Sequence, residues 1–325
     1  MAWRTFNDFD AWGDTIRTAD LRLVCDAVER REWQHAVVAV DNVILQMAVE
    51  GGGNLCYGAN THVGHVLFLP LTHTTEHVVN CERLDEGSLL LIPPGCDFTI
   101  QVQKRAHAWC SVALPAFEEA DDDDTGVDMA PETLTSGSTA QVLRPGVQPV
   151  KALKDLIRGI IASPLAESGA TPAAANAAAA IVEAVRACLV HPRAAVPQRG
   201  RPRIDRGEVI RRSLAVLESE TQGRPSVADL ASRIDVTERT LARAFYDTFG
   251  VNPLRYMTLR QLHRVRRSLV DAAEPTTVSA ILMQHGIWEH GRFSGRYRKQ
   301  FGETPAHTLQ RHRPLDGEHH RAGGA

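Results

Sequence analysis

The chain has 325 residues, 43% of them hydrophobic and 23% charged, with a formal net charge of -3. That length suits two domains, and the composition is that of an ordinary globular protein. It excludes a chain stapled by disulfides, and no run reaches the roughly 18 apolar residues of a membrane helix.

The net charge hides an asymmetry. Residues 1–200 hold 15 Lys/Arg against 25 Asp/Glu, and residues 201–325 hold 21 against 14. Twenty of those 21 cations are arginine, the residue suited to bidentate contact with phosphate and guanine. A cationic third on an acidic partner points to a polyanion as its ligand. The six cysteines (Cys25, Cys56, Cys81, Cys96, Cys110 and Cys188) form no C-x-x-C pair. They read as reduced thiols of a cytoplasmic protein. Residues 1–12 lack an apolar signal region. The closest approach to a membrane segment, residues 173–185, is interrupted by Asn176 and Glu183.

In chain order, residues 35–114 read as short strands. The runs are 35–40, 43–49, 63–71, 88–92, 98–102 and 109–114, β-branched and mostly bounded by Gly, Pro or Asn. Gly51-Gly52-Gly53 and Pro93-Pro94-Gly95 read as turns. The spacing suggests a small barrel or sandwich, whose interior either is filled or holds one small ligand. Residues 116–149, with four consecutive Asp at 121–124, read as an acidic loop. Residues 150–190 read as two helices, the first carrying Leu153, Leu156, Ile157, Ile160 and Ile161 and closed by Pro164. The pair can cover the barrel or form a dimer seam, and the sequence does not decide between these. Residues 191–204 read as a linker and 314–325 as a disordered tail.

From Val209 onward every segment reads as helix. Ser226 and Asp229 make a capping-box start for a short helix with Val227, Leu230, Ala231 and Ile234 on one face. Asp235 supplies a turn, and a second helix follows to Phe249 with Leu241, Phe245 and Phe249 inward at i, i+4, i+8. Its other face presents Arg239, Ala242, Arg243 and Tyr246. The pattern recurs some fifty residues later. Thr277 opens a helix with Val278, Ile281 and Leu282 inward, Gly286 turns the chain, and a helix over 290–301 buries Phe293, Tyr297 and Phe301. Between them, residues 253–271 form a spacer helix with Leu254, Met257, Leu262, Val265 and Leu269 inward. Two such helix-turn-helix units suit two successive major grooves, roughly 34 Å apart. The fold class is therefore α+β: an N-terminal strand-rich barrel or sandwich followed by helices, and a C-terminal all-α double helix-turn-helix domain over 205–313.

The run Gly286-x6-Phe293-x3-Tyr297-Arg298-Lys299-x-Phe301-Gly302-x-Thr304-Pro305 resembles the signature of AraC/XylS-type transcription regulators. The first unit matches through Asp229-Leu230-Ala231, Leu241-x3-Phe245 and Phe249-Gly250-x2-Pro253. Departures are Ile287, where the family usually has an aromatic, and Trp288-Glu289-His290-Gly291, where small polar residues are commoner. Residues 84–95 resemble the strand-turn segment of the family's cupin-like half-barrel, which implies an N-terminal β half-barrel with covering helices and an effector-sensing domain over 1–190, and leaves dimerisation open. The resemblance implies base contacts from Arg239, Ala242, Arg243, His290 and Ser294. It implies phosphate contacts from Thr240, Tyr246, Arg292, Arg296, Arg298 and Lys299. It also implies an effector-responsive activator of a catabolic or stress operon, with double-stranded DNA, RNA polymerase and a small organic effector as partners.

The other reading is a cupin-like metal-dependent enzyme with a DNA-tethering tail, to which His62, His65, His73, His77 and His107 lend themselves. A strand-borne metal site needs ligands on one face. His62 and His65 do not share one, and neither does Glu76 with His73 and His77. No nucleophile elbow or phosphate-binding glycine loop is present, so no catalytic residue, metal or cofactor is expected.

Overall fold

The computed structural model describes residues 3–116, 139–163, 171–189, 205–220, 223–273 and 275–312. The acidic run at 118–124, Pro164, the linker 191–204 and the tail 314–325 lie outside the described residues. The chain divides into two compact units, residues 1–211 with 239–253, and residues 212–238 with 254–325.

The first unit opens with β1 (Arg4–Phe6), a short α1 (Phe9–Gly13) and β2 (Ala19–Val28). Then follow β3 (Trp33–Val40), β4 (Val43–Glu50), β5 (Gly52–Asn60), β6 (Val66–Pro70), β7 (Val78–Val79), β8 (Glu82–Arg83), β9 (Leu89–Ile92), β10 (Asp97–Val102), β11 (His107–Ala113) and β12 (Gln141–Leu143). They form two antiparallel sheets. One has the order β1-β3-β4-β11-β6-β9-β12, the other β2-β5-β10-β7-β8. Two helices follow, α2 (Val147–Ala162) and α3 (Pro172–Leu189).

The larger sheet is covered on both faces, and its sequence shows why. In β9, Leu89 and Leu91 join the core beneath α2 and α3, while Leu90 and Ile92 join the core between the sheets. Likewise in β6, Leu67 and Leu69 face one way and Val66 and Phe68 the other. A strand with two buried faces needs apolar residues at every position, which explains these unbroken runs. The helix pair therefore covers the sheet: Val150, Leu153 and Ile157 of α2 and Ile181, Val185 and Leu189 of α3 share a core with Val38, Leu45 and Val112.

Several expectations need correction. Over its 18 residues α3 reaches a mean hydropathy of 1.2 and is long and apolar enough to cross a membrane, because its many alanines lift the mean past Asn176 and Glu183. Its Ala174, Ala178, Ile181, Val185, Cys188 and Leu189 are buried against the sheet and α2. Residues 139–149, expected as loop, hold β12 and the first turn of α2. Gly52 and Gly53 do not turn the chain but begin β5. A Cβ on Gly52 would lie 2.0 Å from Ala27 O, and one on Gly53 2.2 Å from Lys104 N, so only glycine admits strands this close. His73 and His77 flank a 3-10 turn at Thr74–Glu76 rather than sharing a strand face.

The helical region contains α4 (Arg206–Ser219), α5 (Val227–Arg233), α6 (Glu238–Phe249), α7 (Pro253–Val270), α8 (Val278–Gln284), α9 (His290–Phe301) and α10 (Pro305–His312). In the second unit, Leu262, Val265 and Leu269 of α7 pack with Ile281 and Leu282 of α8, Phe293, Tyr297 and Phe301 of α9 and Leu309 of α10. Leu254, expected inward, is 49% exposed, because it sits in the first turn of α7 ahead of that packed stripe.

Candidate nucleic-acid interface

Each helix-turn-helix unit is set by local chemistry. Ser226 Oγ accepts from Asp229 N at 3.0 Å, and Asp229 Oδ2 accepts from Ser226 N at 3.2 Å, a complete capping box for α5. Asp235 takes φ +55° in the following turn, a conformation that a short polar side chain tolerates. In α6, Leu241, Phe245 and Phe249 are fully buried at i, i+4, i+8. Arg239, Arg243 and Tyr246 are exposed, and Thr240 and Ala242 half-buried.

The second unit repeats the design. Thr277 Oγ1 accepts from Ala280 N at 3.2 Å and caps α8. Gly286, at φ +66°, turns the chain, and Ile287 N returns to Leu282 O at 2.9 Å. Ile287 is itself 8% exposed and belongs to the core, so an aliphatic side chain fills the place usually taken by an aromatic. Along α9, Arg292, Arg296, Arg298 and Lys299 are exposed, and His290 and Ser294 half-buried. Trp288, just before α9, is 73% exposed.

A buried network explains the end of the signature. Gly302 closes α9 at φ +74°, and Pro305 begins α10, where its missing N–H has no helical acceptor to lose. Thr308 Oγ1 donates to Glu303 Oε1 at 2.8 Å, and the Tyr297 hydroxyl donates to Thr308 Oγ1 at 2.9 Å. Arg266 Nη1 reaches Glu303 Oε1 at 2.8 Å, and the Arg266 guanidinium lies 4.8 Å from the Phe301 ring centre. Arg311 adds a contact to the same oxygen at 3.1 Å. Burial works against the Glu303 charge, but these donors outweigh it and hold the carboxyl below its ordinary range.

Not every arginine of this region is available to DNA. Arg260 Nη1 donates to Leu217 O at 2.6 Å and Arg264 Nη1 to Glu220 O at 2.9 Å, so both tie α7 to carbonyls at the end of α4. With Arg266 they are structural. On the surface, Arg243 Nε lies 3.6 Å from Asp247 Oδ2, and Arg292 Nη1 lies 2.9 Å from Glu289 Oε2. Such exposed pairs are worth about 0–1 kcal/mol, so a phosphate or guanine displaces them at small cost. Arg239, Arg298 and Lys299 make no ion pair among the described residues.

Of the five histidines at 62, 65, 73, 77 and 107, His77 and His107 meet edge to face with ring centres 5.2 Å apart. His62 Nε2 is bound to Leu114 O at 2.8 Å, while His65, His77 and His107 are buried. Among the described residues no group of three or more His, Cys, Asp or Glu side chains is arranged to hold a metal ion.

A family model described as a helix-turn-helix domain matches residues 230–311. The chain is 28% identical over 127 residues to a protein named "Probable thc operon regulatory protein" from Rhodococcus erythropolis, covering 38% of this chain and 35% of that protein. It is 30% identical over 106 residues to "XylDLEGF operon transcriptional activator 2" of Pseudomonas putida, covering 31% of this chain and 66% of the activator. The match thus spans about a third and about two thirds of those relatives' own lengths. A solved structure titled as a probable AraC family transcriptional regulator from Rhodopseudomonas palustris is 30% identical, with 33% of this chain and 99% of that one covered and a TM-score of 0.31. With both motif units built as described, the family-model match and the likeness to an operon activator, residues 230–311 belong with the helix-turn-helix domains of AraC/XylS-type transcription regulators.

Proposed function

We propose that this chain is a cytoplasmic, effector-responsive activator that reads double-stranded DNA with α6 and α9. Residues 205–313 serve as the DNA-binding domain, residues 1–190 as the sensing domain and 191–204 as the linker. A catabolic operon is the target in keeping with the relatives' names, and RNA polymerase is the partner that activation requires. Homodimerisation through the sensing domain would present two such readers to the duplex.

The observation that carries the reading is the duplicated unit, in which a buried i, i+4, i+8 stripe leaves a cationic helix face in water. Arg239, Ala242 and Arg243 on α6, and His290 and Ser294 on α9, contact base edges. Arg can bind guanine O6 and N7 together, worth about 1–3 kcal/mol of discrimination per good pair. Thr240, Tyr246, Arg292, Arg296, Arg298 and Lys299 hold phosphates and set the register.

The full chain should shift DNA taken from upstream of its own and neighbouring genes. Four phosphate-bound cations on α9 imply a slope of log K against log salt of about −3.6, or about 150-fold weaker binding from 50 to 200 mM salt. A shift that ignores salt, or no shift at the low-salt end, contradicts the reading.

A further inference from the structure

Between the two sheets of the first unit lies a partly enclosed cavity. Its walls are apolar, with Trp12, Leu23, Phe68, Phe98, Ile100 and Trp109 among them. The mouth lies by Ile16, Arg17, Thr18 and Ala19, which are half-buried or exposed. Polar groups there are already engaged. Gln46 Oε1 accepts from Arg17 N at 2.7 Å, and Gln46 Nε2 donates to Arg17 O at 3.0 Å and to Ser111 Oγ at 3.1 Å.

The other end is different. Gln46 pairs with Ser111 and Glu50 with His107 across β4 and β11, so Glu50 lies four residues, about 13 Å, further along the strand. Glu50 is 1% exposed. Its carboxylate accepts from Asn54 Nδ2 at 2.7 and 2.6 Å and from Trp109 Nε1 at 2.7 Å. His107 Nε2 stands 3.3 Å from Glu50 Oε1, an ion-pair distance. His107 Nδ1 lies 3.1 Å from Arg105 O, which places a proton on Nδ1. A neutral ring would then aim a bare Nε2 lone pair at the carboxylate, so the imidazolium is the form that fits. Burial alone would depress the His107 pKa, but the Glu50 charge outweighs it and holds it above the ordinary value.

The floor is therefore an ion pair with no net charge, and one of its buried acceptors has no hydrogen-bond partner. It is Asn54 Oδ1, on a residue 4% exposed. Asn54 Nδ2 and His107 Nε2 both reach Glu50 Oε1, so Asn54 Oδ1 stands beside a carboxylate that is already neutralised. A hydroxyl can donate to it without bringing charge. A carboxylate brings acceptors only, and its charge would be buried beside Glu50 without a counter-ion.

We propose that this cavity binds a neutral, largely apolar molecule carrying a hydroxyl, an alcohol or phenol with one ring or a short chain. The hydroxyl donates to Asn54 Oδ1, and the apolar body lies along the aromatic walls. The assignment rests on the reading of residues 1–190 as the sensing domain and names the class of molecule sensed.

Isothermal titration of the full chain tests it with matched probes: 4-propylphenol and 1-heptanol, their carboxylate counterparts 4-propylbenzoate and heptanoate, and propylbenzene. Phenol and alcohol should bind at least about ten-fold tighter than the carboxylates. Asn54→Leu should weaken 4-propylphenol about ten-fold and leave propylbenzene unchanged. Ala19→Phe, at the half-buried mouth, should block every probe, and it carries the test if Asn54→Leu does not fold. Equal or tighter binding of the carboxylates, unchanged phenol affinity in the folded variants, or no binding of phenol and alcohol would overturn the assignment. A reporter behind the operator separates the two readings. Binding in the expected pattern with a silent reporter sinks sensing and leaves the ligand class standing. A reporter response to a compound that Ala19→Phe does not affect sinks the ligand assignment and leaves sensing standing.

Discussion

Replacing Glu303 with alanine tests the account of the helical core at its most polar point. The substitution leaves the Arg266 side chain, 7% exposed, without its carboxylate, and strips Thr308 and Arg311 of their shared acceptor. Breaking a buried pair by removing one partner costs about 3–5 kcal/mol. Glu303 keeps a tenth of its side chain in water, so about 3 kcal/mol is the figure expected. Glu303→Gln retains an acceptor oxygen for Thr308 and Arg266 and should cost about half of that. Removing both charges together, as Arg266→Met with Glu303→Leu, should recover much of the loss, because the desolvation penalty leaves with the ions. Urea unfolding followed by helical circular dichroism measures all four proteins, and the midpoints should fall without a change in slope. The pH dependence has a fixed sign. The folded carboxyl titrates below its unfolded value, so its stabilisation is present at neutral pH and disappears as pH falls through that lowered value. A loss below about 1 kcal/mol for Glu303→Ala, or equal losses for the alanine and glutamine variants, would refute the reasoning.

Other perturbations test separate parts of the structure. Ser226→Ala removes the α5 cap and should cost about 1 kcal/mol, read as a lower urea midpoint, whereas Ser226→Asp should cost little. Burial holds the His77 pKa down to about 3 and the His35 pKa down to about 4. The unfolded chain therefore binds protons that the folded chain refuses, and the sheet unit should lose stability as pH falls below about 6.5. In His77→Phe that acid loss should be shallower, and an unchanged slope would count against the assignment. Arg298→Ala should weaken all DNA sequences about equally and reduce the salt slope by about 0.9, checked by titrations on two unrelated duplexes.

The two halves of the chain differed in how openly they could be read. Helix-turn-helix units rest on local rules, so Ser226 with Asp229, the left-handed Asp235 and Gly286, and the Phe293-Tyr297-Phe301 stripe all announce themselves within a dozen residues. Leu254 failed because periodicity alone does not show where a helix leaves the packed region. In the sheets the relevant partners lie far apart in sequence. β2 mixes Asp20, Arg22 and Asp26 among its apolar residues and shifts register between Cys25 and Ala27, so its alternation is broken. β5 is rich in Gly and Asn, residues that favour turns, and only its close neighbours show why they are there. Glu50, Asn54 and His107 come from three strands of two sheets, and no spacing in the sequence brings them together. His107 stood in the sequence only among the histidines weighed for a metal site, and the polar floor of the cavity emerged only from the register of β4 with β11.

The central claim is that α6 reads bases and does not merely hold phosphates. Selection of bound duplexes from a randomised library by the full chain, repeated with Arg239→Ala and Arg243→Ala, tests it most directly. The account predicts a defined preferred site for the wild type, with preference relaxed at one or two base pairs in each variant and the remainder retained. Unchanged preference in both variants would contradict it and leave these arginines with a phosphate role only.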